Sequence, residues 1–181
     1  MKKHFVIIVL LAITFISIND ANAQNSLFGV DLGLALPAGG LNAGTGFGIE
    51  AKGIIPMKKH PYIAFGIGVG YYWWGEKKIS GYDNSRSNIP ISATLMLFVS
   101  QNPIRLYFGS DFSMNFMSIT SESWFSGVKG SRTDQHFGFA PLFGIIAPIG
   151  DNTNIIGTMK YNLILIDETF NFLSLRVGLT F

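Results

Sequence analysis

Large apolar side chains recur at every second position along most of this chain. Phe28, Val30, Leu32, Leu34 and Leu36 share one face, and Gly29, Asp31, Gly33 and Ala35 share the other. A period of two is the mark of a strand whose two faces meet different surroundings. Seven further segments repeat it. Phe47, Ile49, Ala51 and Ile55 alternate with Gly46, Gly48, Glu50 and Lys52, and Ile63 to Trp73 alternate with Ala64, Gly66, Gly68, Gly70 and Tyr72. A fourth strand runs over Ile89–Val99 and a fifth over Ile104–Phe116, where Arg105, Tyr107 and Asp111 take the less apolar face. A sixth covers Phe137–Ile145, less regular because Pro141 and Pro148 donate nothing to a ladder. A seventh sets Ile155, Met159, Tyr161 and Leu163 against Thr158, Lys160 and Asn162, and an eighth sets Leu173, Leu175, Val177, Leu179 and Phe181 against Ser174, Arg176, Gly178 and Thr180.

Eight strands of about ten residues match the length a tilted strand needs to cross a bilayer. The connections alternate in length. Those at Pro56–Pro61, Ser100–Pro103 and Gly150–Thr153 are short, while Gly75–Ser87 and Met117–Thr133 are long and polar and are expected to be loops. Short turns at one rim and long loops at the other predict an all-β, eight-stranded antiparallel up-and-down transmembrane β-barrel with both termini at the short-turn rim. The face that carries Asp31, Glu50, Lys52, Arg105, Asp111, Lys160 and Arg176 would then line the lumen, and the charge-free apolar face would meet lipid.

The first segment does not alternate. Lys2 and Lys3 precede an apolar run from Phe5 to Ile18, and Ala21-Asn22-Ala23 follows as a small-x-small cleavage site. The run is too short to span a bilayer, so residues 1–23 read as a signal peptide cut after Ala23, and 24–181 as one barrel domain. Losing two cations and one anion takes the formal charge from +2 to +1, which excludes a nucleic-acid partner. Only 13% of residues are charged, against about 25% in soluble domains, and a lipid-facing surface explains the deficit.

Candidate chemistry is sparse. The chain has no cysteine, no cluster of spaced metal ligands and no nucleotide-binding loop, and no cofactor is expected. The seven lumen charges nearly balance, and an eight-stranded bore is just wide enough for side chains to fill. They predict a salt-bridged plug in which Asp31 meets Arg176 and Lys52 across the seam. A narrow pore for ions or small solutes is the alternative. A second alternative is a lipid-modifying enzyme built on His136, Ser131 and Asp134 near the long-loop rim. Trp124 and Phe125, aromatic in a polar loop, are candidates for contact with an extracellular partner. Tyr71, Trp73, Phe116 and Phe137 at one rim and Phe28 and Phe181 at the other are candidates for interfacial girdles.

Leu173, Leu175, Val177, Leu179 and the closing Phe181 resemble the C-terminal signature of outer-membrane barrels, and the strands IAFGIGVGYYWW and LRVGLTF are similar to strands of the small OmpA/OmpX-type group. The resemblance covers Asn25 to Phe181 by pattern. It implies a bacterial outer-membrane location, outer-membrane lipid as surroundings, and recognition of the final strand by the barrel-assembly machinery after escort by periplasmic chaperones. With the balanced lumen charges and the thin candidate chemistry, the function expected first is a structural or surface-interaction role without catalysis, with loops facing out and a plugged lumen.

Overall fold

The computed structural model describes residues 26–39, 44–79, 82–100, 103–123, 128–166 and 170–181. The leader at 1–23 with its cleavage site, and the pair Trp124 and Phe125, lie outside the described residues. Eight strands follow in chain order: β1 Leu27–Gly39, β2 Gly46–Met57, β3 His60–Ile79, β4 Tyr82–Phe98, β5 Arg105–Ser123, β6 Lys129–Pro148, β7 Asn154–Ile164 and β8 Phe170–Thr180. Each pairs antiparallel with its sequence neighbours, and β8 returns to β1, which closes the barrel. Phe28 and Phe181 complete the seam by exchanging both backbone bonds, at 2.9 and 2.7 Å.

The strand phases follow the hydrophobic alternation. Leu32, Phe65, Phe112, Phe143 and Val177 point outward and are exposed, while Asp31, Tyr72, Asp111, Gly144 and Arg176 point inward and are buried. The inside is therefore the more polar face and the outside the greasy one, the reverse of a soluble barrel.

The described parts of two long segments expected to be loops are strand instead. β3 and β4 stay paired out to Ile79 and Tyr82, and β5 and β6 out to Glu122 and Lys129. From Met117 to Glu122 this adds about 20 Å of ladder beyond the expected strand end. Above Met117 both faces meet water: Ile119 on the inner face is 40% exposed, and Ser121, Glu122, Ser131 and Arg132 are polar whichever way they point. Without a buried face there is no period-two signal to read. The result is an uneven rim. β3 to β6 rise together as a four-stranded arm, while β1, β2, β7 and β8 stop lower.

At Pro141 the ladder between β6 and β7 breaks: pairing passes from Phe139↔Leu163 to Leu142↔Lys160, leaving Tyr161 and Asn162 without partners on β6. The missing proline N–H accounts for the gap. Asn162 turns its amide to Ser174 Oγ at 3.1 Å on β8.

Candidate functional site: the lumen and its rim

The lumen is built in three layers. At the short-turn end Ile54, Met96, Phe98, Tyr107, Ile146 and Ile156 pack into an apolar floor. At the long-loop end Tyr72, Trp74, Phe170 and Phe172, with Ala35, Met117 and Ile164, pack into an aromatic lid. Trp74 meets Phe170 and Phe172 edge-on at 5.3 and 5.1 Å between ring centroids, and Tyr72 meets Phe172 at 5.3 Å. Between floor and lid lies a belt of six charges.

That belt is a continuous network. Lys52 Nζ donates to Asp31 Oδ2, and Arg176 reaches the other oxygen of Asp31 at 3.5 Å across the β1–β8 seam while also bonding Glu50. Lys160 Nζ lies 3.1 Å from Glu50 Oε1 and bonds Asp111, which also accepts from the Thr94 hydroxyl. Three acids and three bases cancel between the two packed layers, none of them more than 9% exposed. A buried charge without a partner costs several kcal/mol, so each member holds the others in place. Arg105 stands apart. It is half-buried at the start of β5, six residues below Asp111 and hence about 20 Å away along the strand. Among the described residues it makes no ion pair.

Glycines make room for the large inward side chains. Gly48 is the cross-strand partner of Tyr72, and a Cβ on it would sit 2.5 Å from that ring. Gly144 faces Tyr107 in the same way, and a Cβ there would collide with the phenol, whose hydroxyl bonds Thr158 Oγ1 at 2.6 Å. Extending the strand phases through Trp74, Phe170 and Phe172 places these residues inside. The aromatic lid, which residue type alone does not suggest, was thus available from the alternation.

The enzyme alternative finds no geometry. His136 points inward, opposite Asn115, whereas Ser131 points outward, five residues and about 17 Å along β6. Asp134 is bonded to Arg132, with 2.7 Å between Oδ2 and Nε. Among the described residues no group of three or more His, Cys, Asp or Glu is arranged to hold a metal ion.

On the outside, no charged residue among those described interrupts the apolar band between the rims. Tyr71, Trp73 and Phe137 are exposed at the upper edge of the band and Phe28 and Phe181 at the lower edge, with Phe116 partly covered. Leu175, Val177 and Leu179 face outward on β8. Such a surface suits hydrocarbon and would be poorly soluble in water. Solved structures share the architecture. Neisserial surface protein A superposes with a TM-score of 0.62 at 19% identity over 86% of this chain and 95% of that one. The chain has the fold of the small eight-stranded outer-membrane β-barrels. Ail, the attachment invasion locus protein of Yersinia pestis, matches with a TM-score of 0.60 at 12% identity, covering 86% of this chain and 97% of its own. A major outer membrane protein of Thermus thermophilus matches with a TM-score of 0.63 at 13% identity, covering 87% and 99%. Ail has also been solved in complex with the heparin analogue sucrose octasulfate. No family model matches the chain, and no curated protein sequence does.

Proposed function

We propose that this chain is a barrel of the bacterial outer membrane, delivered there after its leader is cut behind Ala23, that works through its outward-facing rim and not through its lumen. The observation that carries the reading is the layered interior: an apolar floor, a neutralised charge belt and an aromatic lid lie in series along the axis. An ion entering this bore would have to shed its water at both apolar layers and break buried pairs between them. The role is structural or one of surface contact, with no catalytic step. Outer-membrane lipid surrounds the barrel, and the outward residues Leu173 to Phe181 serve as the assembly signal for the insertion machinery.

Two of the arm's cations are already engaged by acids, which leaves them less able to hold a polyanion of the kind seen on Ail. On the arm, Lys129 is paired with Glu122 at 2.9 Å and Arg132 with Asp134. Reconstitution in planar bilayers tests the closed lumen, with no stable openings expected. Large, long-lived conductance steps would establish the pore reading in its place. Cell fractionation tests the location: a band in the outer-membrane fraction whose gel mobility shifts on boiling is expected, and recovery as a soluble periplasmic monomer would overturn it.

A further inference from the structure

The arm carries a second surface, on its outer side above the apolar band. The outward residues of β3 to β6 align in level rungs. At the top of the band Phe116 pairs with Ile89 on one side and Gln135 on the other. One rung higher, Trp73, Ser87, Ser118 and Thr133 follow one another across four strands. The next rung is Ser85, Thr120 and Ser131. Above it, Glu122 and Lys129 neutralise each other.

Six hydroxyls thus form a flat lattice of two rows on three strands, spaced about 4.8 Å across the strands and about 6.8 Å along them. Trp73 stands at one end of the lower row with 44% of its surface exposed. Cross-strand hydroxyl pairs help hold a sheet together, and Ser118 with Thr133 at 2.7 Å makes such a pair. A hydroxyl offers one donor and two acceptor sites, so pairing leaves most of the capacity facing outward. The lattice itself carries no charge.

A flat array of alternating donors and acceptors beside an exposed indole face is chemistry suited to sugars. Sugars present hydroxyls around their edge and an apolar face to stack on an aromatic ring. The height of the lattice selects the source, since it begins about 7 Å above the last apolar rung, where lipid headgroups surround the barrel. We propose that this face, Trp73 with the two hydroxyl rows, docks the neutral sugars of the glycolipid that forms the outer leaflet. The proposal rests on the outer-membrane reading.

Native mass spectrometry of the full chain, refolded in detergent, tests it with three probes. These are the outer-leaflet glycolipid with its complete sugar chain, the same lipid truncated to its innermost sugars, and the free oligosaccharide. The complete glycolipid is expected to be retained about tenfold better than the truncated one, the equivalent of one or two net hydrogen bonds. The variant Ser118→Ala/Thr120→Val/Ser131→Ala/Thr133→Val, which keeps the side-chain shapes, should lose that preference. If this variant does not refold, Thr133→Val alone, at the exposed end of its row, should reduce the preference about threefold. Equal retention of complete and truncated lipid, or an unchanged preference in the variant that folds, would overturn the proposal. So would free oligosaccharide binding as well as the anchored form, which would place the ligand in the medium. Boiling-dependent mobility of the same samples reads the barrel separately from the sugar.

Discussion

Two lysine–glutamate pairs in this molecule have the same chemistry and opposite surroundings. Lys160 and Glu50 sit 3.1 Å apart in the lumen with 5% and 6% of their side chains exposed. Lys129 and Glu122 sit 2.9 Å apart on the arm with 66% and 40% exposed. The separations barely differ, so distance says nothing about what each pair contributes. The lumen charges have given up water and depend on one another. The arm charges keep water as an alternative partner, and such pairs contribute about 0–1 kcal/mol. A close contact is thus a structural commitment only where the solvent has been removed.

The largest expected effect comes from breaking the lumen side. Arg176→Met leaves Asp31 and Glu50 short of a partner in a closed space, and should lower the unfolding free energy by about 3–5 kcal/mol, measured by urea titration in vesicles. A loss near 1 kcal/mol would mean that water reaches the belt and would erase the contrast with the arm. Gly144→Val comes next. Its side chain meets the Tyr107 ring, and overpacking of this kind costs about 1–3 kcal/mol, read as a lower midpoint for the heat-induced gel shift. Tyr107→Phe removes the bond to Thr158 while keeping the ring, with an expected loss of about 1 kcal/mol in the same urea titration. Glu122→Gln, on the exposed side, should move stability by less than about 0.5 kcal/mol at low salt and by nothing measurable at high salt.

Strand number, phase and closure were legible because lipid and lumen impose different chemistry on the two faces of every strand. Phe65 beside Gly66, or Val177 beside Arg176, declares its side without any partner being known. Where both faces meet water the contrast vanishes, and Ser118–Glu122 and Lys129–Thr133 read as loop although they are strand. The lumen charges were legible as a group, since each interrupts an apolar rhythm. Part of their grouping was legible too, since closure of the sheet puts Asp31 between Lys52 and Arg176, and both contacts form. The rest was not, because register decides it: Arg105 shares the lumen face with Asp111 yet lies too far along β5 to join. The aromatic lid was hidden for another reason. Trp74, Phe170 and Phe172 are apolar residues on the polar face, so a reading that assigns faces by polarity passes over them, whereas one that carries the strand phase through finds them.

The β1–β8 seam joins positions about 130 to 150 residues apart, from Gly39 with Asn171 to Phe28 with Phe181, and these distant pairs are what close the cylinder. Topologies dominated by such distant contacts fold slowly. Until the eighth strand arrives, the growing sheet has two open edges and a greasy exterior, both invitations to pair with the wrong chain. For this protein the hazardous interval is therefore its delivery. Its survival depends on being shielded between emergence and closure, and the finished cylinder ends that exposure within the apolar band, leaving open edges only on the polar arm above it, at β3 beyond Trp74 and at β6 before Gly138.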